Sequence, residues 1–290
     1  MSARIIDGKA IAAEVRAEVA REVQAHVAGG GPRPHLSVVL VGDDPASALY
    51  VRNKGRAAEE AGLTSDTILL DVSTGEADLL ARVEALNADP AVHGILVQMP
   101  LPPQISTDAV LNAISPDKDV DGLTPASLGR LLAGRPGFVP ATPLGVQQLL
   151  LRSDIDPAGR RVVIVGRSIL VGRPLAALLS IKAAGANATV TMAHTGTSDL
   201  GAVTREAEIL VVAAGRPNTV TAEMVRPGAT VIDVGTNRIA APERKSGTRL
   251  VGDVDFEAVR EVAGAITPVP GGVGPMTIAM LLVNTLQAAR

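Results

Sequence analysis

In the stretch SALYVRNKGRAAEEAGL, residues 47–63, a tyrosine and a lysine stand one helical turn apart. They are Tyr50 and Lys54, and Tyr50 is the chain's single tyrosine, in a sequence with two Phe and no Trp. Residues at i and i+4 share a helix face, so ring and amine fall on one stripe, continued by Ala57, Ala58 and Ala61 and closed by Gly62. An amine fixed on such a stripe can move protons. The ordinary alternative is a solvated charge beside a core-filling ring.

A second candidate lies in VVIVGRSILVGRPLAALL, residues 162–179. The pattern runs strand, glycine turn, helix, with Gly166 and Gly172 bracketing five residues. Gly166 lets the chain turn sharply, Gly172 allows close approach, and the following helix N-terminus favours a phosphate. A purely structural turn would carry the same glycines. The next strand, ATVTMA, ends in His194, Thr195, Gly196 and Thr197, with no carboxylate to take a ribose 2′-hydroxyl. Arg167 in the turn is available to a 2′-phosphate, which selects NADP over NAD, unless it is a solvated surface charge. His194 reads as a satisfied loop histidine.

Alternating strand and helix signals position these groups. Ile11, Val15, Val19 and Val23 recur every four residues and mark a helix. LSVVLVG (36–42) reads as a buried parallel strand, and TILLDV (67–72) and HGILVQMP (93–100) as a second and a third strand, with the Tyr50/Lys54 helix and EADLLARVEALNAD between them. STDAVLNAI forms a short helix with a serine cap, and SPDKDVDGLTP a turn-rich loop. A connecting helix follows Pro143. RVVIVG (161–166), ATVTMA, EILVVAAG and ATVIDVG repeat the scheme as four more strands, and RPLAALLSIKAAG follows the first of them as a helix with Pro174 in its first turn. A Gly/Pro-rich loop feeds a last apolar helix from about Met276. This alternation predicts two α/β domains with parallel sheets.

The chain has 290 residues, 47% hydrophobic and 20% charged, with a formal net charge of −3. That length and composition suit two ordinary cores. No basic block or aromatic-basic platform points to nucleic acid. There are no cysteines, which excludes disulfides, thiolate chemistry and cysteine-held zinc or iron–sulfur clusters, and no metal is expected. The charged start is unlike a signal peptide and no apolar run approaches a membrane span, so a cytoplasmic protein with no membrane partner is expected.

SALYVRNKGRAAEEAG, GILVQMPLP, DKDVDG, PATPLGV, VGRSILVGRPLAALL and ITPVPGGVGPMT occur in order along nearly the whole chain. Together they resemble the bifunctional methylenetetrahydrofolate dehydrogenase/methenyltetrahydrofolate cyclohydrolase family of one-carbon metabolism. The resemblance implies two α/β domains with an active-site cleft between them. Residues 1–140, completed by a C-terminal helix at 273–290, would form the folate-binding catalytic domain. Residues 141–272 would form a Rossmann-like NADP-binding domain. It further implies NADP as cofactor, tetrahydrofolate derivatives as substrate and a homodimer. Competing readings are another NADP-dependent two-domain dehydrogenase, of shikimate or amino-acid type, and a non-catalytic nucleotide-binding regulatory protein.

Carried over residue by residue, the pattern S-x-x-Y-x-x-x-K falls on Ser47, Tyr50 and Lys54, the glutamine of V-Q-x-P on Gln98, and the aspartate of D-V-D-G on Asp121. Lys54, Tyr50, Gln98 and Asp121 are then catalytic. Ser47, Tyr50, Gln98, Asp121, Pro270, Gly271 and Gly272 bind substrate. Gly166, Arg167, Ser168, Thr195 and Thr236 bind the cofactor. Lys54 would relay protons, Gln98 orient its amine, Tyr50 offer a flat face to the folate and Asp121 pair with pterin N–H donors, a turn carboxylate being its ordinary alternative. The family often has Ser at position 195, Ile at 236 and Cys at 141, and this chain carries extra residues around SIKAAGAN.

Overall fold

The computed structural model describes residues 2–242 and 247–290, apart from the side chain of Ala46. Strand β1 (Arg4–Ile5) leads to helix α1 (Gly8–Ala28), whose start is capped by Asp7 through the N–H groups of Lys9 and Ala10. Val15, Val19 and Val23 are buried as the four-residue spacing predicts, but Ile11 is only half-buried and Ala12 takes its place on the buried side. Strand β2 (His35–Val41) is buried over six consecutive residues and is the centre of its sheet. Helix α2 (Pro45–Glu60) opens with Asp44 accepting the Ser47 N–H at 2.8 Å and with Pro45 in its first turn. Strand β3 (Thr64–Leu70), helix α3 (Glu76–Ala88), strand β4 (Gly94–Val97), helix α4 (Thr107–Ala113) and helix α5 (Pro125–Leu132) follow.

Helix α6 (Ala141–Leu151) joins to strand β5 (Arg161–Val165), helix α7 (Gly172–Ser180), strand β6 (Thr189–Ala193), helix α8 (Leu200–Thr204), strand β7 (Ile209–Val212) and strand β8 (Thr230–Asp233). Strands β9 (Asn237–Ala240) and β10 (Thr248–Val251) pair antiparallel. Helix α9 (Phe256–Arg260), strand β11 (Ala265–Ile266) and helix α10 (Val273–Ala288) complete the chain.

The chain forms two compact units. One comprises residues 13–141 and 278–290, around a parallel sheet of order β3-β2-β4. The other comprises residues 1–12 and 142–277, around a parallel sheet of order β1-β11-β8-β7-β5-β6. Both sheets are parallel with crossover helices, the α/β class expected from the alternation. Residues 1–12, expected with the first domain, lie in the six-stranded unit, because Arg4 and Ile5 pair in parallel with Ala265 and Ile266. The first turn of α10 also lies there, and only residues from Ile278 onward join the three-stranded unit.

Two further expectations need correction. The helix predicted across RPLAALLSIKAAG ends at Ser180, where Ile181 turns extended. Gly185 and Asn187 then take positive φ, which brings the chain round into β6. The last helix begins at Val273, the start that the resemblance implies and three residues earlier than the apolar run suggests, since Pro275 is tolerated in a first turn. Strands β1 and β11, two residues each, are too short for any periodicity to show, and the β9–β10 pair buries none of its residues. Among the described residues, no helix is long and apolar enough to cross a membrane.

Candidate active site

In the three-stranded unit, α2 places Ser47, Tyr50 and Lys54 one turn apart, and β4 delivers Gln98 just past its last paired residue. The backbone N–H of Gln98 donates to Val39 O at 2.8 Å, so this residue continues the ladder to the central strand. Its side-chain Nε2 donates to Met99 O at 2.6 Å, leaving Oε1 turned to Lys54. The Lys54 amine, on a side chain only 6% exposed, donates to that oxygen at 2.9 Å. The same nitrogen lies 5.6 Å from the centroid of the Tyr50 ring, within cation–π range.

Burial lowers the Lys54 pKa below the ordinary lysine value, and the Asp121 carboxylate acts in the opposite direction. Burial also raises the Tyr50 hydroxyl. Asp121 is pushed above the ordinary carboxylate range by burial. Lys54 opposes that rise and Asp119 adds to it. An amine that sheds its proton more readily than free lysine, aimed by an amide oxygen, is equipped to accept and return protons.

The Asp121 turn is held from two sides. Asp119, 1% exposed, accepts the N–H groups of Leu123 at 3.1 Å and Thr124 at 2.8 Å. Asn284, from the later turns of α10, donates to Val120 O at 2.8 Å and Val139 O at 2.9 Å. Gly122 has φ +72°, and a Cβ there would lie 2.6 Å from Pro140 N, so the glycine of DVDG is fixed by geometry. Sequence reasoning misses Asp119 and Asn284. The available signal for Asp119 is a second carboxylate four residues before a Leu-Thr-Pro helix start.

In the six-stranded unit, Gly166 ends β5 with φ +132°, and a Cβ on it would lie 2.2 Å from Ala213 O. A Cβ on Gly172 would lie 2.1 Å from Gly166 O. Backbone therefore touches backbone at both glycines, and neither accepts a side chain. Helix α7 has no side-chain cap. Its nine residues aim an uncapped N-terminus at the turn, while Ser168 Oγ accepts the Val171 N–H at 3.2 Å. Arg167 is exposed, and its Nη1 lies 3.5 Å from His194 Nε2. His194 Nδ1 accepts the Gly196 N–H at 3.0 Å and its backbone N–H donates to Thr197 Oγ1, which makes it the satisfied loop histidine expected. Thr195 and Thr236 are both exposed, at the ends of β6 and β8. An uncapped helix end, a backbone cradle that a Cβ would fill, and an exposed guanidinium fit a phosphorylated dinucleotide.

Pro270, Gly271 and Gly272 also belong to the six-stranded unit. Gly271 has φ +112°, and a Cβ on Gly272 would lie 2.6 Å from Pro268 O. The structure thus brings Ser47, Tyr50, Lys54, Gln98 and Asp121 into one unit, and the glycine loop and nucleotide turn into the other.

Two family models cover the chain: the catalytic domain of tetrahydrofolate dehydrogenase/cyclohydrolase over residues 6–121 and its NAD(P)-binding domain over residues 140–290. A protein of Rhodopirellula baltica described as bifunctional protein FolD is 54% identical, over 100% of this chain and 98% of its own. The crystal structure of the FolD methylenetetrahydrofolate dehydrogenase/cyclohydrolase from Campylobacter jejuni superposes with TM-score 0.92 at 46% identity, covering 99% of each chain. The Trypanosoma brucei methylenetetrahydrofolate dehydrogenase-cyclohydrolase, solved with NADP cofactor and inhibitor, gives TM-score 0.94 at 41% identity, covering 100% of this chain and 98% of its own. The chain belongs to the tetrahydrofolate dehydrogenase/cyclohydrolase family.

Proposed function

We propose that this chain oxidises 5,10-methylenetetrahydrofolate to 5,10-methenyltetrahydrofolate with NADP and hydrolyses the product to 10-formyltetrahydrofolate. Within the family assignment, the observation that carries this reading is the buried Lys54 amine bonded to Gln98, beside Tyr50 and coupled to Asp121. A nucleotide-binding module alone has no use for a desolvated amine of this kind.

The first step needs geometry more than acid–base chemistry. The lone pairs of N5 and N10 expel the hydride from the bridging carbon, so no strong protein base is required. When bound, NADP supplies the hydride acceptor. Gly166, Arg167, Ser168, Thr195 and Thr236 would hold it, with Arg167 on the 2′-phosphate. Tyr50 gives the folate a flat face, Asp121 accepts paired N–H donors of the pterin, and Ser47 and the Pro270–Gly272 loop contribute to its binding.

The second step moves protons. Water bonds to the cationic carbon while neutral Lys54 takes one of its protons. The resulting ammonium returns that proton to N5 as the bond between carbon and N5 breaks, and the remaining hydroxyl proton leaves to solvent as the formyl carbonyl forms. Gln98 Oε1 keeps the amine aimed through both transfers. Assembly as a homodimer belongs to the same proposal and is checked by sedimentation.

The test is a coupled assay on the purified chain with methylenetetrahydrofolate and NADP, following NADPH, methenyl and formyl products together. Successive appearance of NADPH and methenyl absorbance, then decay of the methenyl signal, is expected. Absence of any folate turnover overturns the reading.

A further inference from the structure

Two fully enclosed carboxylates in the six-stranded unit have no part in the chemistry above. Asp253 is 0% exposed and Asp233 is 2% exposed. Asp233 ends β8, at the carboxyl edge of the parallel sheet where ligands of open α/β sheets bind, and Asp253 follows β10. Such groups remain buried only when their acceptor capacity is used, and here it is used on backbone N–H groups and one side-chain amide.

Asp253 Oδ2 accepts the N–H groups of Ala214 at 2.6 Å and Gly215 at 2.8 Å. Its carbonyl oxygen accepts the Thr219 N–H at 2.7 Å. One residue therefore ties down both ends of the 214–219 loop, which contains two positive-φ residues, Gly215 and Asn218. The other carboxylate oxygen, Oδ1, accepts Asn237 Nδ2 at 2.7 Å, next to Thr236. Asp233 in turn accepts the N–H groups of Asp253 at 2.9 Å, Val254 at 3.0 Å and Gly235 at 2.9 Å. Space is as restricted as bonding. A Cβ on Gly252 would lie 1.8 Å from Asp233 Oδ2, and one on Gly235 would lie 2.3 Å from Asp253 Oδ1.

The held loop is the one against which the nucleotide turn rests. Ala213, immediately before the two N–H groups that Asp253 captures, presents the carbonyl that touches Gly166. Ala213 N–H also donates to Val165 O at 2.7 Å, at the end of β5. We infer that Asp253 is a positioning residue for the dinucleotide site. Its carboxylate sets the 213–219 loop as the wall of the Gly166 turn and, through Asn237, sets the segment carrying Thr236, while Asp233 buttresses Asp253. This inference rests on the reading of that turn as a dinucleotide site. Asp253 reads no part of the cofactor itself, so its removal acts on NADPH and NADH equally, unlike removal of Arg167.

The test uses the full chain with Asp253→Asn and Asn237→Ala. NADPH and NADH dissociation constants are measured by the fluorescence of the reduced nicotinamide, alongside melting temperature and the dinucleotide KM and kcat. Asp253→Asn leaves one acceptor oxygen where two serve three donors, so either the Ala214 and Gly215 N–H groups or the Asn237 amide loses its partner to an opposing NH2. Its dissociation constants should rise at least tenfold for both dinucleotides by the same factor, with KM rising in step. Asn237→Ala leaves the Ala214 and Gly215 bonds in place and should give a rise of about threefold. Dissociation constants within twofold of the parent overturn the inference, whatever the melting temperature does. Where Asp253→Asn does not fold, Asn237→Ala decides by the same criterion. A loss confined to NADPH overturns it too, since it would place Asp253 in phosphate recognition. A parent chain that binds neither dinucleotide removes the reading of the turn and this inference with it.

Discussion

The Lys54 amine and Gln98 Oε1 are joined at 2.9 Å, between a helix and the residue that extends the neighbouring strand's ladder to β2. The bond fixes where the amine points, and burial fixes its readiness to lose a proton. Hydrolysis uses both properties and hydride transfer uses neither. Lys54→Met keeps the stem's bulk and removes the amine. Cyclohydrolase activity should fall by roughly 10²–10⁴-fold, the usual scale of general acid–base catalysis, with a much smaller loss of dehydrogenase activity. Methenyltetrahydrofolate should accumulate in the coupled assay. Melting temperature should not drop, because a desolvated amine is exchanged for an apolar group. Hydrolysis at the parent rate would remove Lys54 from the chemistry.

Asp121 acts on that amine as well as on the substrate. Its carboxylate favours the charged form of Lys54, opposing the larger effect of burial. Asp121→Asn should impair both activities, since both use the same folate, and should leave NADPH affinity near the parent value. Without the carboxylate the Lys54 pKa falls further. The rise of residual hydrolysis with pH should therefore move to lower pH. A profile that stays in place, or moves upward, contradicts the coupling.

Arg167→Ala tests cofactor choice. A charge-assisted bond to the 2′-phosphate is worth on the order of 1.5–3 kcal/mol, or roughly 10–150-fold in affinity. NADP binding should weaken by about that factor and NAD binding should hardly change. Equal losses, measured by titrating both cofactors, would show that Arg167 does not read the phosphate.

What the sequence discloses follows from the range of each signal. The Tyr50/Lys54 stripe and the Gly166–Gly172 turn are local, set by helical periodicity and glycine geometry, and both stand in the structure as spacing predicts. The Lys54–Gln98 bond joins residues 44 apart in sequence, beyond the range of any periodicity, and only the family resemblance points to it. The pairing of β1 with β11 joins Arg4 to Ala265 through two-residue strands that carry no period. Nor does the Asp233–Asp253 arrangement leave a local signature, because each carboxylate finds most of its partners on distant segments. Their neighbouring glycines, Gly235 and Gly252, look like ordinary turn residues until a Cβ is placed on them.

Asp233 also makes a prediction about stability and pH. Its carboxyl is pushed up to about 6, first by burial and then by Asp253, against the lowering effect of its three backbone N–H partners. The native chain thus holds this proton more tightly than the unfolded chain, whose aspartates titrate near 3.8. Where the folded state binds more protons, unfolding free energy falls as pH rises. The stabilisation from this group is fully present below the unfolded value and is lost as pH climbs through about 6. A shift of this size corresponds to roughly 3 kcal/mol in all, of which about 2.4 kcal/mol is lost between pH 4 and pH 7. Asp233→Asn has no proton to release, so its unfolding free energy relative to the parent should rise across that window and then level off. Urea unfolding of both chains at half-unit intervals of pH reads the difference directly. A difference that stays constant from pH 4 to pH 7 would show that Asp233 is not the group whose proton is held.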